Sequence, residues 1–433
     1  MTSKATESKK GTNLKFIGRS FRSRNYRLFF VGQGISLIGT WMQQIAMSWL
    51  VYRLTNSAFL LGLIGFTSQV PVFVLTSFAG VLADRVHHRN LLIITQALSA
   101  FQASLLAFLV LGGYIQVWHL ILLSLFLGCI NAVDMPTRQS FVVEMIEHKK
   151  DLGNAIALNS FMFNSARLVG PSIAGLVVAL VGEGYCFLIN AISFLAIIFT
   201  LLAMRIPQQA TKIHAASLYH GLKEGYRYAS VFPPTRYALL LIAIISVMGM
   251  PYMLLMPVFA RDILHGGPQT LGFLMGAAGV GALMGALYLA SRRSVLGLMK
   301  LIVISTSVFG LGLVAFSFSK HLPLSLCMMF FTGVGMIMSA ASINTILQTI
   351  VDEDKRGRIM SLYTMAAVGM TPFGCLMAGG LASKIGAPHT IAIGGIVCIL
   401  GSLFFLLKLP LIRESLRPIY VKLGIVSQMP PTE

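Results

Sequence analysis

Twelve apolar stretches, each long enough to cross a lipid bilayer as a helix, fill this chain almost from end to end. They lie at about 28–52, 58–83, 90–111, 115–136, 152–181, 185–204, 237–260, 270–291, 300–318, 322–350, 359–383 and 387–408. A bilayer core takes about 20 apolar residues of helix, and the 433 residues hold little else. Charged residues make up 11% of the chain and hydrophobic ones 56%, with a mean hydropathy of +0.80. A soluble domain carries roughly 25% charge. The composition predicts an all-α membrane protein whose main solvent is lipid.

The formal net charge of +19 would suggest nucleic acid in a soluble protein, but its placement argues otherwise. Number the hydrophilic gaps alternately from the N-terminal tail. One set holds the tail cluster (Lys4 to Arg27), Arg85 and Arg89, Arg138 with Lys149 and Lys150, the basic residues of 205–236, Arg292 and Arg293, Lys355 to Arg358, and the C-terminal tail. The other set holds Arg53, Arg261, Lys320 and Lys384. The positive-inside rule then places both termini in the cytoplasm. The basic excess reads as topology plus attraction to anionic lipid headgroups, with no nucleic-acid partner.

The longest gap splits the chain into six spans plus six. The expected divisions are a basic tail 1–27, an N-terminal bundle 28–204, a central cytoplasmic loop 205–236, a C-terminal bundle 237–408 and a tail 409–433. Leu218, Leu222, Tyr226 and Ala229 in the loop recur at helical spacing, which predicts a short surface helix. Two bundles joined by a cytoplasmic loop is the plan of a transporter built from related halves. Gly170-Pro171 in span 5 and Thr371-Pro372-Phe373-Gly374 in span 11 break apolar runs at comparable places. Each is either a packing kink or part of a gate. The five cysteines are scattered through the spans without metal-ligand spacing. There is no nucleophile–base pair and no phosphate-binding loop, so neither an enzyme nor an ATP-driven pump is expected, and no cofactor or metal.

The gap after span 2 reads Gly80-Val-Leu-Ala-Asp84-Arg85-Val-His-His-Arg89. It resembles the G-x-x-x-D-R-x-x-x-R signature of the major facilitator superfamily. That resemblance implies the family's fold of two six-helix bundles, and a cluster at Gly80, Asp84, Arg85 and Arg89 that latches the cytoplasmic side in the outward-open state. Ser291-Arg292-Arg293, the equivalent place in the second half, lacks the acid. Further segments are similar to the branch containing siderophore and drug exporters. They are the opening of span 1 from Arg27 through Trp41 to Gln44, Asn131 to Gln139, Asn154 to Ser160, Ala166 to Gly175, and Arg356 to Tyr363. The resemblance implies secondary-active export from the plasma membrane of a bacterium, driven by a proton gradient. The Gly170-Pro171-to-Gly175 segment, like Pro372 in span 11, is similar to a looser form of the family's antiporter motif.

Arg167 is the most informative single residue. It lies about 14 residues from either end of span 5, roughly 20 Å along the helix. A guanidinium at midplane costs several kcal/mol unless paired or wetted, and no Asp or Glu lies at comparable depth in any span. Arg167 therefore either bonds backbone groups or faces a hydrated cavity and awaits an anion. Asp134 and Arg138 stand four apart near the cytoplasmic end of span 4, as a gate pair or a proton carrier. In the family, helices 1, 4, 7 and 10 line the cavity, which favours Trp41, Gln43, Gln44, Asn131 and Asn344 as substrate-facing; Asn159 in span 5 joins them. Met248, Met250, Met253 and Met256 of span 7 offer either adaptable ligand contacts or plain packing.

The expectation is a monomeric exporter of an amphipathic or anionic small molecule. Two other readings stay open: a lysophospholipid flippase or importer of the same fold, and a non-transporting receptor or assembly subunit.

Overall fold

The computed structural model describes residues 19–83, 86–146, 151–205, 227–292 and 294–422, and among these the regular structure is entirely helical. In the N-terminal half run α1 (Arg24–Thr55), α2 (Ala58–Ala83), α3 (His88–Leu111), α4 (Val117–Glu144), α5 (Leu152–Val181) and α6 (Glu183–Ala203). In the C-terminal half run α7 (Pro233–Ile263), α8 (Pro268–Ser291), α9 (Leu298–Ser317), α10 (Leu322–Ile350), α11 (Glu353 to Ile385) and α12 (Ala387–Leu407). A final helix, α13, spans Leu409–Lys422. Eleven of these, α2 to α12, are long and apolar enough to cross a membrane. At 32 residues α1 is long enough but less apolar. The reading of 218–229 as a helix falls mostly outside the described residues, as do Asp84, Arg85 and Arg293.

The helix ends follow from their sequences. Ser23 caps α1, its hydroxyl accepting from the Tyr26 amide at 3.5 Å, and the chain leaves α1 through Asn56 in a left-handed turn. Single glycines join α5 to α6 (Gly182, φ 94°) and α11 to α12 (Gly386, φ 85°). A one-residue hinge at positive φ admits only glycine readily. The two hinges anchor a repeat: Gly170, Gly175 and Gly182 stand at the same spacing as Gly374, Gly379 and Gly386. A Cβ on Gly170 would meet Trp41 of α1 at 2.5 Å, and one on Gly374 would meet the Val247 carbonyl of α7 at 2.5 Å. Each half thus presses its fifth helix onto its first by the same device.

The Gly170-Pro171 break is not a break in the helix. Helix α5 runs unbroken from Leu152 to Val181 through Pro171, so this glycine serves close packing. The break in α11 is real, with a π turn at Met365–Gly369 before Thr371. Helix α7 holds two more, at Ile245–Gly249 and Phe259–Ile263, on either side of Pro251 and Pro257. A proline removes a donor and clashes with the preceding turn, which a wider turn relieves. The Ser246 hydroxyl of the first α7 π turn donates to the Ala367 carbonyl of the α11 π turn at 2.7 Å, satisfying backbone that lipid could not.

Two segments outside the spans are folded against the bundles. Tyr26 is fully buried and its hydroxyl donates to the Ala155 carbonyl at 3.0 Å, while Ser20 bonds Asn154. These contacts pin the start of α1 across the start of α5. Within the expected C-terminal tail, α13 buries Ile412 and Leu416 and leaves Arg413 and Arg417 exposed, the pattern of a helix lying along a membrane surface.

Candidate transport site

The ends of the helices define two faces. One carries the start of α1, the N-termini of α3 and α5 and the helix α13, with Arg89, Arg413 and Arg417, and is the basic face; the other carries the short 1–2, 5–6 and 11–12 turns. The two halves meet over the part away from the basic face. Helix α2 packs on α11, where a Cβ on Gly62 would lie 2.8 Å from the Gly379 Cα. Helix α5 packs on α8, where a Cβ on Gly175 would lie 2.9 Å from the Gly272 Cα. Both contacts run inward to mid-helix, at Phe73 on Phe373 (5.5 Å between ring centroids) and at Leu168 beside Gly279. Glycines permit this because helix backbones otherwise stand 8–10 Å apart.

Polar tethers reinforce the same end. The Tyr52 hydroxyl at the end of α1 bonds the Asp262 carboxylate at the end of α7. Arg261 donates to the Asn56 side chain at 2.7 Å and lies over the Tyr52 ring at 5.8 Å. Sequence reasoning missed this cluster, because Tyr52 and Asn56 are ordinary helix-end residues and their partners lie some 200 positions away. Nearer the basic face, Ser160 of α5 and Thr345 and Gln348 of α10 are exposed. Among the described residues, these contacts between the halves gather at the face opposite the basic one and at mid-helix, and the two halves part towards the basic face.

Arg167 lies at the depth where the halves part. Its Nη2 reaches the Met336 sulfur of α10 at 3.3 Å and the Met253 sulfur of α7 at 3.6 Å. Its guanidinium carbon stands 5.7 Å from the centre of the Trp41 ring. Trp41 is held edge-on to Phe163 of α5, with centroids 5.8 Å apart. Four helices from both halves therefore converge on one cation. Among the described residues no carboxylate pairs with it; thioethers are weak acceptors, and a ring face adds a modest attraction. Its contacts are to sulfur and an aromatic face, not to the backbone groups of the first sequence-based alternative.

The other predicted residues divide. Gln44 is exposed on α1, and Asn131 and Asn159 are half-buried. Asn344 accepts from Gln348 at 2.5 Å on the splayed part of α10. Gln43 is a correction: it is 4% exposed and faces the interior of the N-terminal half. It donates to Gln102 at 3.0 Å and accepts from Asn190 at 2.8 Å, so it ties α1 to α3 and α6 instead of meeting substrate. Met256 is likewise buried core, whereas Met253 reaches Arg167. Asp134 is 2% exposed. It pairs with Arg138 and accepts from Thr95 at 2.8 Å and from Gln96 at 2.7 Å. That arrangement fastens α4 to α3.

Of the signature after α2, Gly80 lies within that helix, and Asp84 and Arg85 are outside the described residues. Arg89 donates to the Leu201 and Leu202 carbonyls at 2.7 and 2.8 Å, a cationic cap on the C-terminal end of α6. His88 beside it contacts Glu144 of α4 at 2.6 Å. The described part of the signature therefore ties helices within the N-terminal half. Gly175 and Pro372 both lie buried at helix contacts, Gly175 across the two halves.

The chain belongs to the transmembrane secretion effector family of the major facilitator superfamily, whose profile matches residues 19–419. It is 28% identical to the staphyloferrin A transporter of Staphylococcus aureus, over 88% of this chain and 96% of that one. It is 26% identical to the multidrug efflux pump Tap of Mycobacterium tuberculosis, over 88% of this chain and 91% of that one. A bacterial homologue of the human lysosomal transporter Spinster shares the fold with a TM-score of 0.71 at 12% identity, covering 92% of this chain and 98% of that one. The protein is thus a major facilitator transporter, a multi-pass protein of the plasma membrane, from a family of transporters and not of enzymes.

Proposed function

We propose that this member of the transmembrane secretion effector family exports an amphipathic, anionic small molecule from the cytoplasm by alternating access, with inward proton flow as the energy source. The basic face is cytoplasmic by the charge rule, so both termini lie inside and the splayed mouth receives cargo from the cytoplasm. The observation that carries the reading is Arg167, a half-buried cation at the junction of the two halves that is engaged by two thioether sulfurs and a tryptophan face. Such a site is short of an acceptor, and a low-polarity surround strengthens its attraction for an anion. Relatives named for a siderophore and for multidrug efflux support an amphipathic cargo. Gln44, Asn131, Asn159 and Asn344 supply polar contacts along the route. Asp134 with Arg138 serves as a fixed pair at its cytoplasmic end.

The test uses purified protein in proteoliposomes with an imposed proton gradient, offered an anionic siderophore and a neutral drug of similar size. Arg167→Gln is expected to lower transport of the anion at least tenfold and leave the neutral drug within about twofold, since a hydrogen bond to a charged group contributes about 1.5–3 kcal/mol. Equal loss for both, with normal expression, would sink the role given to Arg167. Absence of any substrate-stimulated proton flux in the wild type would favour a receptor or assembly subunit.

A further inference from the structure

We infer that Arg167 and Tyr252 form a two-point site for a single carboxylate, and that this carboxylate bridges the two halves of the protein. The inference rests on the export reading and specifies its recognition chemistry. Tyr252 stands next to Met253 on α7, just after Pro251. It is 2% exposed, and its hydroxyl lacks a well-formed hydrogen bond. Its chain neighbour Met253 brings this part of α7 against the Arg167 guanidinium, the sulfur lying 3.6 Å from Nη2, and that guanidinium is the charged group beside the Tyr252 hydroxyl. Buried hydroxyls in folded proteins are nearly always bonded, so an orphan calls for an explanation.

A carboxylate supplies what both groups lack. A guanidinium carries five donors in a planar fork that matches two carboxylate oxygens, and both contacts of Arg167 with sulfur leave from the single nitrogen Nη2. An arriving carboxylate outcompetes Met253 and Met336 for the fork, and its remaining lone pairs accept from the Tyr252 hydroxyl. Trp41 holds the far side of the guanidinium through its ring face, so the cation is positioned before cargo arrives. One cation and one neutral phenol balance one negative charge. The other described arginine near the route, Arg138, is already neutralised by Asp134. A singly charged carboxylate fits better than a doubly charged phosphate for that reason. The displaced methionines and the exposed ring of Phe163 then offer adaptable contacts to the apolar part of the cargo.

The geometry also gives the carboxylate a mechanical role. Arg167 belongs to the N-terminal half and Tyr252 to the C-terminal half, so the ligand replaces two weak inter-half contacts with strong ones and draws the splayed halves together. The methionine sulfurs are placeholders that the cargo must evict.

The probes are dansylglutamine, an amphipathic monocarboxylate, and the neutral diamide that replaces its carboxylate by an amide, with binding followed by dansyl fluorescence on purified full-length protein. Wild type is expected to bind the carboxylate at least about tenfold tighter than the diamide. Arg167→Gln should erase that preference, and Tyr252→Phe should weaken carboxylate binding about three- to tenfold with diamide binding unchanged. The joint change Met253→Leu and Met336→Leu keeps side-chain volume and removes the competing acceptors, so it should strengthen carboxylate binding. A merely structural role for the methionines would weaken it. An undiminished preference in Arg167→Gln, weaker carboxylate binding in the double leucine variant, or no carboxylate binding by the wild type overturns the bridge. Proteoliposome flux of the same probes separates the two readings. Transport of the diamide without carboxylate preference overturns the bridge and leaves export standing, whereas tight carboxylate binding with no transport of either probe overturns export.

Discussion

Gln43 and Gln44 show how far neighbouring residues can part in role. They are 100° apart on α1, so Gln44 is exposed and Gln43 faces the interior of the N-terminal half. Their polarity was visible in the sequence, but the choice between them depends on where α3 and α6 stand, which no local pattern encodes. Gln43 completes a chain from Asn190 through its own amide to Gln102, which donates in turn to the Leu123 carbonyl at 3.3 Å. Gln43→Met fills the same space and leaves the Gln102 amide oxygen and the Asn190 amide nitrogen without their partners. It should therefore destabilise the protein by about 1–2 kcal/mol, the range of interhelical side-chain bonds in membranes. The expected outcome is a lower melting temperature in detergent with an unaltered ratio of anionic to neutral transport. A changed ratio with unchanged melting would return Gln43 to the substrate route. Arg167 is the opposite case: its depth without a carboxylate was legible along the sequence, but its sulfur and tryptophan neighbours come from three other helices.

At the scale of elements, apolar length fixed the helices closely. The spans read at 58–83, 152–181 and 322–350 are α2, α5 and α10 with the same bounds. Helix α13 was read as part of the tail because its buried face, Ile412 and Leu416, is too short to register as a membrane stretch. The glycines were legible as residues, yet their partners were not. Gly170 looked like a helix break and is a packing point. Gly175 looked like part of an antiporter motif and forms the α5–α8 contact between halves. That contact has a mirror in Gly62 and Gly379 between α2 and α11, and both pairs close the face opposite the basic one. A Cβ at 175 would stand 2.7 Å from the Pro268 carbonyl oxygen, a backbone atom that cannot swing aside. Gly175→Val should therefore cost the closed contact about 1–3 kcal/mol of overpacking, a shift of roughly 5- to 150-fold towards the state in which α5 and α8 separate. Helical propensity does not oppose the change strongly, so the protein should still fold. Labelling of a cysteine placed at Gln44 by a membrane-impermeant thiol reagent added from the non-cytoplasmic side should rise in Gly175→Val. No rise would mean that this contact does not gate the outer face.

For the whole molecule, the described contacts between the halves lie opposite the basic face, held by the glycine pairs and by Tyr52 with Asp262, and on the proposed export reading this is one end of a cycle. On that reading the opposite end of the cycle has the α2–α11 and α5–α8 contacts part at their outer portions. The sequence was silent about the contact opposite the basic face, because a contact built from backbone proximity has no side chain to announce it. A covalent bond across the outer contact tests the cycle directly. A Cβ at position 65 would lie 3.2 Å from the Cβ and 3.3 Å from the sulfur of Cys375, close to the spacing within a disulfide. Cys375 is free, as are the other four cysteines, so Gly65→Cys supplies the missing partner without a second substitution. Mild oxidation of this variant should join α2 to α11 in the present state. If transport needs that contact to open, oxidised protein in proteoliposomes should lose its transport, and a reductant should restore it to the level of the unoxidised variant. The control, Gly65→Cys with Cys375→Ser, should transport equally before and after oxidation. Cross-linked protein that keeps its full rate would show that the two halves do not rock apart at this contact, and alternating access would have to be sought in motions within a single half.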